Sequence, residues 1–327
     1  MKPGDTQFYV GGVLANNRRI LARTITLIES ALPAHQELAK IILDQLIPRS
    51  GKAVRLGITG VPGVGKSTFI ENFGLMLLKK GHRVAVLAVD PSSTLSGGSG
   101  MADKTRMEKL SVEENAFIRP SPSGGTLGGV TKKTREALLI CEAAGFDVLI
   151  VETVGVGQSE IAVASMVDFF LVLMLAGAGD ELQGIKKGVL EIADALAINK
   201  ADGDNMDRAE KARMDYESAL NLFCSSSAVW KPPVLTCSAL EMTGLDKIWE
   251  MTLEHKEKMI ASGELEVKRK KQAVDWMWSL VETGLKERFY RNSEVKKFSE
   301  KITHDVETGA IAPATGANRL LSLLDTH

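Results

Sequence analysis

The residues in this chain best suited to chemistry lie in one nine-residue stretch, Gly60-Val61-Pro62-Gly63-Val64-Gly65-Lys66-Ser67-Thr68. It follows the pattern G-x-x-x-x-G-K-[ST] from Gly60 to Ser67, in which three glycines let successive backbone N–H groups turn toward a polyphosphate. Lys66 would reach the β- and γ-phosphates, the Ser67 hydroxyl would ligate magnesium, and Thr68 completes the stretch. Such a loop works only between a strand and a helix whose N-terminus favours anions. The apolar run Val54–Thr59 before it and the helical spacing of Phe69–Lys80 after it predict that setting.

A second polar cluster follows much later. Asn199-Lys200-Ala201-Asp202 reads N-K-x-D at the end of a predicted strand. The Asp202 carboxylate could accept from the N1–H and exocyclic amine of guanine, a donor pair that adenine lacks. Ser238-Ala239-Leu240, after the next strand, resembles the loop whose backbone supports guanine in many GTPases. Glu152-Thr153-Val154-Gly155 ends another apolar strand in a carboxylate with a glycine three residues on, where GTPases carry D-x-x-G. Glu152 could reach the magnesium shell, and the Gly155 amide could sense the γ-phosphate. Val156 stands where Ras-like enzymes place a water-orienting glutamine, so intrinsic hydrolysis is expected to be slow and assisted.

Asp90 and Asp103 add two carboxylates that suit magnesium or water positioning, although Asp90-Pro91 also reads as a turn and Asp103 as a helix cap. In the glycine-hinged stretch 177–188, Lys186 or Lys187 could supply positive charge to a transition state and Gln183 could hold water. A plain strand-to-helix connection fits that spacing almost as well.

These residues need a scaffold, and the rest of the sequence supplies one. Residues 13–47 read as a helical hairpin broken at Pro33. From 51 to 262, strands Val54–Thr59, Arg83–Val89, Ala116–Arg119, Val148–Glu152, Phe169–Leu175, Ala195–Asn199 and Val234–Cys237 alternate with helices. That alternation predicts an α/β P-loop fold on a mainly parallel sheet, with ligand loops at the carboxyl ends of its strands. Residues 1–50 form an N-terminal helical segment and 263–327 a C-terminal helical arm. The arm opens on a long helix from Glu264 to Arg291 with Val274, Trp278, Val281 and Leu285 on one side, which predicts a homodimer.

Composition narrows the function. A formal net charge of −1 gives no basic field for nucleic acid. Three distant cysteines and five scattered histidines give no disulfide framework or metal tract. Apolar runs of only strand length, and no evident leader, predict a cytoplasmic protein without membrane association.

Taken together, GVPGVGKST, AVDPSS, ADKTRM, AFIRPSPSGGTLGG, ETVGVGQSE, GAGDELQGIKKG and NKAD resemble the MeaB/MMAA family, P-loop GTPases of the SIMIBI class once labelled ArgK. The resemblance runs through nearly the whole chain. It implies slow, partner-stimulated GTP hydrolysis by a homodimer that gates adenosylcobalamin delivery to methylmalonyl-CoA mutase and helps remove inactivated cofactor.

Carried over by position, Lys66 and Ser67 bind phosphate and magnesium, and Asp90, Asp103 and Glu152 shape the metal and catalytic water. Lys186 assists catalysis, and Asn199, Lys200 and Asp202 bind guanine. One departure is Ser99-Gly100-Met101-Ala102-Asp103 where the family usually reads S-I-L-G-D, which bears on the local backbone there. Competing readings are a protein kinase or ATPase acting on a transport component, a nickel-delivery GTPase, and a binding module that holds nucleotide without turnover. The nickel reading calls for a histidine-rich tract or paired Cys/His ligands, which the chain lacks. Which acyl-CoA mutase is the partner is left open.

Overall fold

The computed structural model describes residues 5–89, 107–120, 127–153, 159–177, 187–223 and 229–324. Seven strands form one sheet: β1 (Val54–Gly60), β2 (Val84–Val89), β3 (Ala116–Arg119), β4 (Val148–Thr153), β5 (Phe169–Leu175), β6 (Ala195–Asn199) and β7 (Val234–Thr236). Their order is β3-β2-β4-β1-β5-β6-β7, and every adjacent pair is parallel. Parallel strands are buried on both faces, which is why they read as mainly apolar runs, with polar residues toward their ends, rather than alternating ones. All seven coincide with the sequence expectation to within a residue at each end.

The helices that follow β1 and β6 do most to position the site. Helices α4 (Lys66–Lys79), α5 (Glu108–Ser111), α6 (Leu127–Ala143), α7 (Ser159–Ala164) and α8 (Lys187–Glu191) connect β1 through β6. They are followed by α9 (Met206–Phe223) between β6 and β7, and then by α10 (Leu245–Ala261). Helix α4 buries Phe69, Ile70, Phe73 and Leu77 completely. Phe69 and Phe73 stack at 5.4 Å, and Phe73 meets Trp249 of α10 edge-on at 6.3 Å. The Phe73–Trp249 contact fixes α4 against α10.

The N-terminal segment carries the expected hairpin, as the second and third of its helices, and one further helix before it. It contains three helices, α1 (Thr6–Leu14), α2 (Arg18–Glu29) and α3 (Pro33–Leu46), with Val13, Leu21, Ile25, Ile42 and Leu46 fully buried among them. Helix α1 starts at Asp5, whose side chain accepts from the Gln7 amide at 3.1 Å. Its Gly11-Gly12 pair argues against a helix by propensity. Packing overrides propensity here, because a Cβ on Gly12 would sit 2.5 Å from the Ile20 side chain. Glycine is what lets α1 and α2 touch.

The chain divides into two compact units, Met1–Arg269 and Lys270–His327, the boundary falling inside the long helix α11 (Glu264–Arg291). In the second unit the expected helical tail is two helices, α12 (Ser293–Glu307) and α13 (Pro313–Ser322). Asn292 caps α12, accepting from the amides of Glu294 and Val295 at 2.8 and 3.1 Å. Gly309, at φ +74°, ends it. Among the described residues no helix is long and apolar enough to cross a membrane.

At the amino ends of β1 and β5 the first unit carries a buried charge clamp. Asp168, 3% exposed, accepts from Arg269 Nε at 2.8 Å, Arg269 Nη2 at 2.7 Å and the Arg55 amide at 3.1 Å. Arg55 in turn holds Glu142 of α6 through two bonds of 2.8 and 3.1 Å. Arg269 also donates to the carbonyls of Gly51 and Ala53. Burial alone would lower the arginine's pKa, yet the Asp168 carboxylate holds it above its ordinary value.

A carboxylate this enclosed is costly to lose because it leaves an arginine without its counter-charge. Asp168→Asn is therefore expected to destabilise the first unit by about 3 kcal/mol, read as a lower urea midpoint with an unchanged slope. A change below about 0.5 kcal/mol would show that the clamp contributes no net stability.

Candidate functional site

The phosphate loop leaves β1 at Gly60. A Cβ there would lie 2.5 Å from the Leu173 carbonyl oxygen on β5, so only glycine allows the loop to start so close to the sheet. Gly65, at φ +90°, is the left-handed residue that starts α4, a conformation glycine adopts without strain. Between them Gly63 is exposed while Val61 and Val64 are buried, so the loop is pinned by two apolar side chains. Lys66 Nζ donates to the carbonyls of Gly60 at 2.8 Å and Val61 at 3.4 Å, which places the ammonium over the loop. Ser67 is half-buried and Thr68 exposed, both in the first turn of α4, where the helix dipole favours an anion.

The N-K-x-D exit from β6 lies against this loop. Asn199, 1% exposed, donates from Nδ2 to the Val64 carbonyl at 2.8 Å, and its Oδ1 accepts from the Ala239 amide at 3.0 Å. The Cys237 thiol also donates to Oδ1 at 3.6 Å, and burial pushes that thiol up to about 12, so it stays protonated. The Asn199 oxygen and one of its two N–H groups are therefore engaged with protein. Sequence reading gave Asn199 to guanine; the structure adds that it joins the phosphate loop to the loop after β7.

Lys200 turns the chain out of the sheet at φ +61°, a left-handed conformation steadied by Asn205 Nδ2 on the Lys200 carbonyl at 2.7 Å. Its Cε lies 4.0 Å from where a Gly65 Cβ would stand, so the stem runs over the phosphate loop. Asp202 is extended, and its Oδ2 accepts a short bond from the Ser238 hydroxyl. Ser238 is itself fixed, its backbone paired with Thr243 in both directions at 3.0 and 3.1 Å. Ala239 is buried, and Leu240 projects with 76% of its surface exposed. The arrangement presents one oriented carboxylate beside an exposed apolar side chain, close to the phosphate loop.

Glu152 sits at the end of β4, 6% exposed, in register with Ile58 of β1 and Ala88 of β2. Beside it the Thr59 and Thr153 hydroxyls share a hydrogen bond of 2.8 Å. Glu152 stands at the carboxyl end of β4 and Ser67 in the first turn of the helix that follows the adjacent β1, and their oxygens are the hard donors that magnesium takes. Asp90, Asp103, Gly155 and Lys186 lie outside the described residues. Among the described residues no three His, Cys, Asp or Glu side chains form a metal-holding group.

One residue escaped sequence reading altogether. Asn72, on α4, donates from Nδ2 to the Ala239 carbonyl at 2.7 Å. Its only sequence signal is a poor helix former in the middle of a helix.

A parallel sheet whose first strand ends in a phosphate loop, hydrogen-bonded to an N-K-x-D strand exit, defines a P-loop GTPase fold. The chain belongs to the MeaB family: the model for "Methylmalonyl Co-A mutase-associated GTPase MeaB" matches residues 21–294. It is 48% identical to the Escherichia coli protein named "GTPase ArgK" over 310 residues, covering 95% of this chain and 94% of that one. It is 46% identical to the mouse "Methylmalonic aciduria type A homolog, mitochondrial" over 320 residues, covering 95% of this chain and 77% of that one. A crystal structure described as "LAO/AO transport system kinase" superposes with a TM-score of 0.79 at 41% identity, covering 100% of this chain and 99% of that one.

The Asn199 amide makes a direct prediction. Asn199→Ala leaves the Val64 carbonyl and the Ala239 amide without these partners, and is expected to cost about 2 kcal/mol of stability. Guanine nucleotide affinity, by equilibrium titration, should fall at least about tenfold. Unchanged affinity would show that the two loops hold their places independently.

Proposed function

We propose that the chain binds GTP with magnesium and hydrolyses it slowly to GDP and phosphate. In this reading it serves as a chaperone of an adenosylcobalamin-dependent acyl-CoA mutase. Methylmalonyl-CoA mutase is the first partner to test, with cofactor loading gated by nucleotide state and the mutase protected or reactivated. The observation that carries the nucleotide reading is the Asn199 bond to Val64, which sets a carboxylate for guanine beside a loop for phosphate. The partner reading rests on the family's description and on the mouse relative's name.

In this account the amides of 60–66 and the Lys66 ammonium hold the β- and γ-phosphates, and Asp202 accepts from the guanine edge. Ser67, with Asp90, Asp103 and Glu152, would hold magnesium directly or through its waters. Magnesium, when bound, neutralises charge on the phosphate oxygens. Lys186 would add positive charge as the γ-phosphate leaves, and Gly155 would register its presence. Because Val156 can neither orient water nor take its proton, turnover depends on a partner.

The chain itself pairs as a homodimer in this reading. On α11, Val274, Trp278, Val281 and Leu285 are 41–59% exposed at spacings of four, three and four, the seam of a helix that meets another helix.

The description of the solved relative as a transport-system kinase favours a second reading, phosphoryl transfer from ATP to a protein. Phosphate release from GTP and from ATP, with and without apo-mutase, separates the two. Slow GTP-selective release that the mutase accelerates is expected, with Lys66→Ala and Lys186→Ala each lowering it by at least about a hundredfold. Light scattering of the same preparation should give twice the chain mass. Equal use of ATP would overturn the guanine assignment, indifference to the mutase the partner assignment, and a monomeric mass the dimer.

A further inference from the structure

The loop after β7 is held from two sides, and the second holder lies on the phosphate-loop helix. The Ala239 amide goes to Asn199 Oδ1 at 3.0 Å, while the carbonyl of the same residue accepts from Asn72 Nδ2 at 2.7 Å. Asn72 lies six residues beyond Lys66 on α4, less than two turns away, and a helix that short behaves as one rigid piece with its loop. The four groups close a ring: Val64 to Asn199, Asn199 to Ala239, Ala239 to Asn72, and Asn72 back along α4 to the phosphate loop.

We propose that Asn72 is a positioning residue for base selectivity, setting the Asp202 carboxylate at one distance from the phosphate loop. The inference rests on the nucleotide reading above. Its path is short. Ala239 follows Ser238, whose hydroxyl donates to Asp202 Oδ2 and accepts from the Glu241 amide at 3.1 Å. Moving the Ala239 peptide moves the Ser238 side chain, and with it the orientation of the carboxylate that would read the base.

Two donors on one guanine edge require two acceptor lone pairs at fixed positions, so a loosened carboxylate loses discrimination before it loses charge. Phosphate contacts are unaffected, because Lys66 and the loop amides do not pass through Ala239. The expected signature is therefore a selectivity defect, which general destabilisation of the fold would not produce. An asparagine is also the residue that local helix preference would avoid at this position, and its amide gives the α4 face a donor that a better helix former such as Ala or Leu lacks.

The test uses the full-length chain with Asn72→Ala and the isosteric Asn72→Asp, which keeps the volume and removes the donor. Affinities for GDP, IDP and ADP and the dissociation rate of GDP are measured by stopped-flow with fluorescent nucleotides, and melting temperatures without nucleotide are recorded. Inosine lacks only the exocyclic amine of guanine, so the GDP:IDP ratio reads the carboxylate directly.

Both variants are expected to narrow the GDP:IDP preference about fivefold and to release GDP faster by a similar factor, as one lost hydrogen bond should. IDP affinity should change by less than about twofold. An unchanged ratio in both variants overturns the proposal, as does an equal loss of GDP and IDP affinity, which would mark a phosphate-site defect. If one variant fails to fold, the ratio of the other decides. If wild-type protein itself does not distinguish GDP from ADP, the guanine reading falls first and this inference falls with it.

Discussion

One buried carboxamide joins the parts of this site. Asn199 spans 135 residues of sequence to reach Val64 and 40 to reach Ala239, donating in one direction and accepting in the other. Only the carboxamides of asparagine and glutamine carry a donor nitrogen and an acceptor oxygen on one carbon. Aspartate would lose the donor and leave a charge at a position 1% exposed, where a charge is expensive. The phosphate loop and the loop after β7 therefore keep one separation, and anything that spans them meets a pocket of fixed length.

That fixed length needs rigid strands behind it, and the sheet supplies them. β1 lies between β4 and β5, paired to each over five residues. Its carboxyl end becomes the phosphate loop, and its amino end is held by the Asp168, Arg55, Arg269 and Glu142 clamp. Each strand end thus has a distinct role: charge pairing fixes one, and the other carries backbone amides and oxygens toward a ligand. Burying ion pairs yields little net stability compared with apolar packing, so the clamp is better read as fixing which residues meet at the strand ends.

The same physical division explains what the sequence made legible. Every strand was visible because two-sided burial demands short, mainly apolar runs such as Phe169–Leu175, set apart by polar and helical stretches. The phosphate loop was visible because its glycines and lysine are local in sequence. Helix α1 was missed because its glycines serve contact with Ile20 rather than helix preference. The bridging contacts of Asn199 and of Asn72 escaped notice because both act through partners brought together only by folding. A motif records which residue types meet a ligand, while the groups that hold those residues in place leave little trace in local pattern.

The most direct test of the account is the base preference of Asp202→Asn. An amide at this position, held by Ser238, would offer a donor where the carboxylate offers an acceptor, matching the 2-oxo group of xanthine in place of the 2-amino group of guanine. Competition binding with GTP, XTP and ATP should therefore show wild-type protein preferring GTP and the variant preferring XTP, each by at least about tenfold. A variant that loses GTP without gaining XTP, or that still prefers GTP, would show that Asp202 does not read the base and would contradict the site described above.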